Sequence, residues 1–74
     1  MKPRHDIVSH LKARRLAAGG MTQQELADRA GVTRQTILSI EKGKYSPSVG
    51  LALRLAQVLG ATVEELFVLE DERP

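Results

Sequence analysis

Apolar residues recur at helical spacing along most of this chain, and residues that start or stop helices separate the apolar runs. The pattern predicts five short helices, at roughly 6–18, 22–30, 33–43 and 49–59 and around Leu66 and Phe67. Strand signals are nearly absent, and only residues 67–69 have the composition of a short edge strand. Helices this short are not stable alone, so their apolar faces must pack together. The sequence therefore predicts a compact, all-α five-helix bundle.

The predicted helix boundaries rest on capping residues. Thr22 with Glu25 and Thr62 with Glu65 have the spacing of capping boxes, in which a hydroxyl and a carboxylate satisfy free amide groups of the first turn. Gly31 stands where the second helix needs a residue with left-handed backbone. The remaining helices start after Thr33 and Ser48 and stop at Gly43 and Gly60.

The second and third helices are joined by a very short connection that contains the glycine at position 31. Such a connection sets two helices at a steep angle, the helix-turn-helix arrangement. The arrangement needs a small residue where the helices approach each other and apolar residues on both inner faces. The residues that meet these requirements are Leu26, Ala27, Ala30, Val32, Ile37 and Ile40. Because every position is suitably occupied within one short stretch, the signal is specific.

The chain has 74 residues, 42% of them apolar, which is enough for a single domain, 1–74, with a core at about 6–69. Its charge is unevenly distributed. Residues 1–63 carry ten Lys/Arg and four acids, a formal charge of +6, whereas residues 64–74 carry −4. A short basic N-terminal arm and an acidic C-terminal tail therefore flank the core, and the basic body favours a polyanionic partner.

Several classes of function are excluded by what the composition lacks. There is no cysteine, and Tyr45 and Phe67 are too few aromatic platforms for single-stranded nucleic acid. His5 and His10 fit no metal-ligand spacing, and no nucleophile elbow or glycine-rich phosphate loop is present. We therefore expect no enzymatic activity, no metal and no cofactor. No apolar run is long enough to span a membrane and no signal-peptide pattern is present, so we expect a cytoplasmic protein.

Six segments of the sequence carry a family resemblance. They are LKARR at 11–15, MTQQELA at 21–27, GVTRQTI at 31–37, IEKG at 40–43, YSPS at 45–48 and LALRLA at 51–56. These segments resemble the Xre (Cro/phage-repressor) family, and the likeness covers about residues 7–69. The resemblance implies a lambda-repressor-like DNA-binding domain in a transcriptional regulator that binds operator DNA, usually as a dimer. One departure is Gly19-Gly20, where the family more often has a single glycine.

The third helix opens with residue types that read base edges. In the major groove, arginine binds guanine bidentately and glutamine binds adenine in the same way. Arg34 and Gln35 are such residues, and the apolar positions of the helix turn them outward. By matching position, the resemblance assigns base contacts to Arg34, Gln35 and Ser39, with Thr33 at the edge.

A second group of residues is placed to contact the DNA backbone. Gln23 lies in the first turn of the second helix, where the helix dipole favours an anion such as phosphate. Lys42, Lys44 and Tyr45 follow the third helix and are candidates for clamping flanking phosphates. Each of these three is singly as typical of a solvated surface, but the cluster favours a phosphate contact.

Two further features of the third helix concern its packing. The resemblance implies a structural salt bridge between Arg15 and Glu41, which would tie the first helix to the end of the third, and it leaves open a phosphate contact by Arg15. Leu38 lies on the groove-facing flank, where it either packs under the loop at Tyr45 or contacts thymine methyl groups. The sequence leaves both roles of Leu38 open.

These observations predict a sequence-specific regulator that binds double-stranded DNA, most simply a repressor that binds a palindromic operator as a homodimer. Two copies would contact half-sites about 10–10.5 base pairs apart. Residues 66–69, with support from the fourth helix, either form the contact between subunits or close the core of the monomer. The chain has no room for a ligand-sensing domain, so we expect no small-molecule effector.

Two alternatives use the same fold differently. The first is an antitoxin or controller protein of a two-gene module, which an adjacent toxin-like gene would identify. The second is a protein-interaction module that does not bind DNA. Acidic or apolar residues on the third helix would favour that second alternative, whereas Arg34, Gln35 and Lys44 are polar or basic.

Overall fold

The computed structural model describes residues 7–70 of the chain. Within this range it has five helices and two short strands, in the order β1 (Ile7–Ser9), α1 (Leu11–Ala17), α2 (Gln23–Ala30), α3 (Arg34–Glu41), α4 (Val49–Leu59), α5 (Val63–Leu66) and β2 (Phe67–Leu69). The five predicted helices are therefore confirmed. The basic N-terminal arm with His5, the predicted helix start at Asp6 and the end of the acidic tail lie outside the described residues.

Both predicted capping boxes are formed. The Thr22 hydroxyl accepts a hydrogen bond from the Glu25 amide at 3.0 Å, and the Glu25 carboxylate accepts one from the Thr22 amide at 2.8 Å. At the other end of α2, Gly31 has φ 75°, the left-handed conformation that glycine adopts without a steric penalty. The Val32 amide then donates to the Ala27 carbonyl at 3.0 Å. These contacts end α2 sharply and set the entry angle of α3.

The prediction of an all-α fold is wrong at the two ends of the domain. Ile7 and Val8, predicted to lie in the first helix, form strand β1, which pairs antiparallel with β2 in the register Ile7↔Leu69, Val8↔Val68 and Ser9↔Phe67. The helix begins only at Leu11, whose amide donates to the Ser9 hydroxyl at 3.3 Å. Two adjacent β-branched residues favour extended backbone once a partner strand is present.

The same pairing shortens the fifth helix. Phe67, predicted to lie on that helix, has φ −137° and ψ 128° and is the first residue of β2. Strand β2 covers the residues 67–69 whose composition is that of a short edge strand. The His10 amide donates to the Leu66 carbonyl at 2.7 Å, so the sheet continues directly into the junction between α1 and α5.

The core is assembled from one face of every helix. The largest fully buried side chains are Leu11, Leu26, Ile37, Ile40, Leu55 and Leu66. Ala27 and Ala30 are also fully buried, and their small side chains let α3 approach α2 closely. Because Ile37 and Ile40 fix the buried face of α3, they also decide which residues of α3 reach solvent. Among residues 7–70, no helix is both long and apolar enough to span a bilayer.

Candidate nucleic-acid interface

Helix α3 presents a polar surface along the side opposite its buried face. Thr33, Arg34 and Gln35 are exposed at its start, and Ser39 is partly buried one turn later. The Thr33 hydroxyl caps the helix by accepting from the Thr36 amide at 3.2 Å. An α-helix with its side chains is about 10–12 Å in diameter, which matches the roughly 12 Å width of the DNA major groove.

A shallow depression of about 230 Å³ runs beside α3. It is lined by Gln35, Thr36, Ser39, Lys44 and Tyr45. Four of these five residues are among the predicted contact residues. Thr36 is not, although it precedes Ser39 by three residues and such a pair lies on one face of a helix. Helical spacing was therefore a signal that could have identified Thr36.

The turn after α3 brings Lys44 and Tyr45 back beside the helix. Gly43 has φ 75°, which reverses the chain direction, and the Lys44 amide donates to the Ser39 carbonyl at 2.9 Å. Lys42 is the C-cap residue of α3, and Lys42, Lys44 and Tyr45 are all exposed. Both ammonium groups therefore flank the polar surface of α3 at its C-terminal end.

Arg15 and Glu41 form a buried, bidentate ion pair that joins α1 to the last residue of α3. Arg15 Nε donates to Glu41 Oε2 at 2.7 Å, and Arg15 Nη2 donates to Glu41 Oε1 at 3.1 Å. Arg15 Nη1 donates to the Met21 carbonyl at 2.7 Å. Only 7% of the arginine side chain and 4% of the glutamate side chain are exposed. The pair therefore holds α3 in a fixed orientation to α1.

Gln23 links this ion pair to the start of α3. Its Nε2 donates to Glu41 Oε1 at 3.1 Å, and its Oε1 accepts from Arg34 Nη1 at 3.3 Å. A carboxylate offers only acceptors and a guanidinium only donors, so the Gln23 amide fits between them in one orientation. Gln23, predicted to contact a phosphate, and Arg34, predicted to contact a base, are thus hydrogen-bonded to each other, which the spacing of residues does not predict.

Leu38 is partly buried, and it belongs neither to the fully buried core nor to the fully exposed surface of α3. Both roles that the sequence left open for this side chain are compatible with partial burial.

Comparisons with known proteins match the part of the chain that holds all these residues. A family model described as helix-turn-helix matches residues 11–66. An uncharacterized HTH-type transcriptional regulator of Archaeoglobus fulgidus is 55% identical over 53 residues, which cover 72% of this chain and 76% of that protein. A protein of Methanothermobacter thermautotrophicus with the same description is 56% identical over 54 residues, covering 72% of this chain and 78% of that protein.

A solved structure has the same fold. The clp gene regulator ClgR from Corynebacterium glutamicum superposes with a TM-score of 0.69 and is 29% identical in sequence. The match covers 74% of this chain and 57% of the ClgR chain, so this chain spans little more than half the length of that regulator.

Proposed function

This chain belongs to the Xre-type helix-turn-helix family of DNA-binding transcriptional regulators, and we propose that it recognises a specific double-stranded sequence by placing α3 in the major groove. The observation that carries the proposal is the polar surface of α3. Arg34 and Gln35 are exposed on a helix whose opposite face is locked into the core by Ile37 and Ile40. A helix held in this way presents its outward side chains to base edges without changing the fold.

Each outward side chain has a chemistry suited to one kind of contact. Arg34 offers two parallel donors to the O6 and N7 atoms of guanine, and Gln35 offers a donor and an acceptor to adenine. Ser39 bonds with any base that presents a donor or acceptor to it, and Thr33 lies at the edge of the surface. Sequence recognition is therefore assigned to Thr33, Arg34, Gln35 and Ser39.

Contacts with the phosphates of the DNA backbone are assigned to residues around α3. Lys42, Lys44 and Tyr45 would contact phosphates on one side of the groove, and such contacts orient a protein on the duplex without reading its sequence. Gln23 lies at the start of α2, where free amide groups and the helix dipole favour an anion. Only one of the two amide hydrogens of Gln23 is needed for Glu41, so the other remains available for a phosphate.

We further propose that the protein acts as a homodimer on a palindromic operator. An apolar depression of about 360 Å³ lies between β1, β2 and α4, lined by Ile7, Pro47, Val49, Ala52, Leu53, Val63 and Phe67. At its margin, Val49 is 77% exposed and Leu53 58% exposed. Leu69, paired with Ile7 in the sheet, is 76% exposed. A contiguous apolar surface of this kind is typical of a protein contact.

The predicted contact stretch 66–69 divides between two roles. Leu66 is fully buried and belongs to the core of the monomer, whereas Leu69 is available to a second copy. In a two-fold dimer the same patch serves both subunits, so protruding leucines and a depression on one face are self-complementary. We propose that such a dimer represses transcription by occupying a promoter, and that it works in the cytoplasm, where bacterial and archaeal DNA is held.

Selection from a randomised duplex pool, followed by titration of the selected and a scrambled duplex against salt, tests the proposed function. We expect a palindrome whose half-site centres are about one helical turn apart, with an affinity that falls as salt rises. Equal binding to both duplexes would indicate a backbone binder without sequence preference. Absence of binding at low salt would overturn the proposal and favour a protein-interaction module.

Replacing Leu53 with lysine is expected to shift the protein from dimer to monomer, because a charge would be placed within the apolar contact between the subunits. Sedimentation velocity at several concentrations measures this shift, and circular dichroism reports whether the helices are retained. Leu16→Lys is the matched control, since Leu16 on α1 is 50% exposed and lies outside the depression. A dimer that survives Leu53→Lys would place the subunit contact on another face.

A further inference from the structure

Arg54 of α4 reaches across to the end of α2. Its Nη1 donates to the Ala30 carbonyl at 3.0 Å, although the two residues are 24 positions apart in the chain. We propose that Arg54 is a positioning residue, which holds α2 and α3 at a fixed angle to α4 and so sets the spacing of half-sites that the dimer accepts. This inference rests on the proposed homodimer on a palindromic operator.

The Ala30 carbonyl is a suitable acceptor for a guanidinium. It lies in the last turn of α2, where carbonyl groups have no partner within the helix and the helix dipole is negative. Arginine and lysine side chains can bond such carbonyls. A Cβ at position 31 would lie 3.7 Å from Arg54 Nη1, which is van der Waals distance. The guanidinium therefore lies directly against Gly31, in the turn that leads to α3.

The bond from Arg54 is also the sole polar link between α4 and the helices that carry the predicted DNA contacts. Hydrogen bonds of Arg15 and Gln23 with Glu41 connect α1, α2 and α3 to one another. Among residues 7–70, no other hydrogen bond joins α4 to any of these three helices. The angle between α4 and the other three therefore depends on this bond and on the packing of the core.

The packing of α2 on α4 is a weak determinant of that angle. Ridges of side chains determine how two packed helices cross, and an alanine contributes only a low ridge. The fully buried residues of α2 are Leu26, Ala27 and Ala30, so two of the three are small. A tether at the end of α2 is therefore well placed to prevent α2 and α3 from rotating together against α4.

Helix α4 connects this tether to the proposed subunit contact. Consecutive residues of a helix point about 100° apart, so Leu53 and Arg54 lie on neighbouring sides of α4. Leu53, 58% exposed, lines the apolar depression, whereas Arg54 contacts the turn before α3. A rotation of α2 and α3 about α4 would move each recognition helix relative to the two-fold axis. Because a dimer binds half-sites about one helical turn apart, the rotation would change which spacing fits.

A positioning role differs measurably from a general effect on stability. We define the spacing ratio as the Kd for the selected palindrome with one base pair inserted at its centre, divided by the Kd for the palindrome itself. The insertion moves one half-site by about 3.4 Å and rotates it by about 35°. A less stable protein would bind both duplexes more weakly by the same factor, and its spacing ratio would not change.

The experiment measures the spacing ratio of the full chain with Arg54→Met. Methionine has a long unbranched side chain but cannot donate to the Ala30 carbonyl, and because Arg54 is exposed the domain is expected to fold without it. We expect the ratio to fall about three- to fivefold, the effect of losing one hydrogen bond that holds the preferred arrangement. Affinity for a duplex with a single half-site is expected to change less than about twofold, because the polar surface of α3 is unaltered.

Three further variants calibrate the measurement. Arg54→Lys keeps a cation that can donate to the same carbonyl, so its spacing ratio is expected to stay within about twofold of that of the unmodified protein. Arg29→Met is the matched control, because it removes an exposed positive charge from the last turn of α2 and leaves the bond to α4 in place. Its ratio is expected to be unchanged. Leu53→Lys, expected to be monomeric, should give a ratio near one.

Three outcomes would overturn the inference. An unchanged spacing ratio in Arg54→Met would leave Arg54 as a cap of α2 only. An equal fall in Arg29→Met would attribute the effect to charge at the end of α2 rather than to the bond with Ala30. Sedimentation velocity that showed Arg54→Met to be a monomer would place Arg54 in the subunit contact. By contrast, failure of the unmodified protein to select a palindrome would refute the proposed function itself.

Discussion

Replacing Glu41 with alanine is expected to lower the free energy of unfolding by about 3–5 kcal/mol, because it leaves Arg15 buried without its partner. Arg15 has 7% of its side chain exposed and donates two of its three hydrogen bonds to Glu41. A domain of this size is stabilised by only about 5–15 kcal/mol in total, so the loss would be a large fraction. Urea unfolding followed by circular dichroism measures it as a lower midpoint at constant slope.

Arg14→Ala is the control for this experiment. Arg14 is the neighbouring arginine on α1, and it faces Glu65 at 3.6 Å with 44% and 47% of the two side chains exposed. Removal of so exposed a pair is expected to change stability by less than about 1 kcal/mol. The double change Arg15→Met with Glu41→Leu should recover much of the loss, since apolar residues can replace a buried ion pair. Equal effects of Glu41→Ala and Arg14→Ala would contradict the buried-pair explanation.

Replacing Arg34 with alanine is expected to remove the preference for one base pair in each half-site. A bidentate arginine–guanine contact provides roughly 1–3 kcal/mol of discrimination, and a dimer on a palindrome uses it twice. Titration of the selected duplex and of duplexes altered at single positions measures this loss. Uniformly weaker binding to all of these duplexes would instead identify Arg34 as a phosphate contact.

Lys44→Ala provides the contrast, because it also removes one exposed positive charge beside α3. It is expected to weaken binding to all duplexes equally and to reduce the slope of log K against log salt by roughly one per subunit. The two variants therefore separate the residue that reads sequence from one that orients the protein on the backbone.

The sequence predicts the centre of this fold well because its signals are local. The capping box of Thr22 and Glu25 and the left-handed Gly31 lie within a few residues of the helix ends they determine. The pairing of Ile7 with Leu69 joins opposite ends of the described chain, and no pattern near Ile7 indicates a partner so distant. The extended backbone of β1 therefore appears only when the tertiary structure supplies β2.

In the candidate site, too, local features follow from the sequence, whereas contacts between side chains of different helices do not. The exposure of Arg34 and Gln35 follows from helical spacing, since Ile37 and Ile40 occupy the opposite face. The contact of Arg34 with Gln23 depends on how closely two helix starts approach and on the rotamers there, neither of which residue types specify. The Arg15–Glu41 pair was implied by family resemblance and not by spacing, because the two residues belong to different helices.

The sheet also brings the two ends of the described chain side by side. Residues paired directly across antiparallel strands have Cα atoms only about 4.5–5.5 Å apart, so Ile7 and Leu69 are close enough to be joined by a very short peptide. The loop at Gly19 and Gly20 is exposed and has open space around both residues, which suits it for new chain ends. A circular permutant opened there would begin just before α2 and end after α1. The polar surface of α3 would then be encoded near the start of the gene. The remaining helices would follow it in the sequence, and the geometry of the surface would be unchanged.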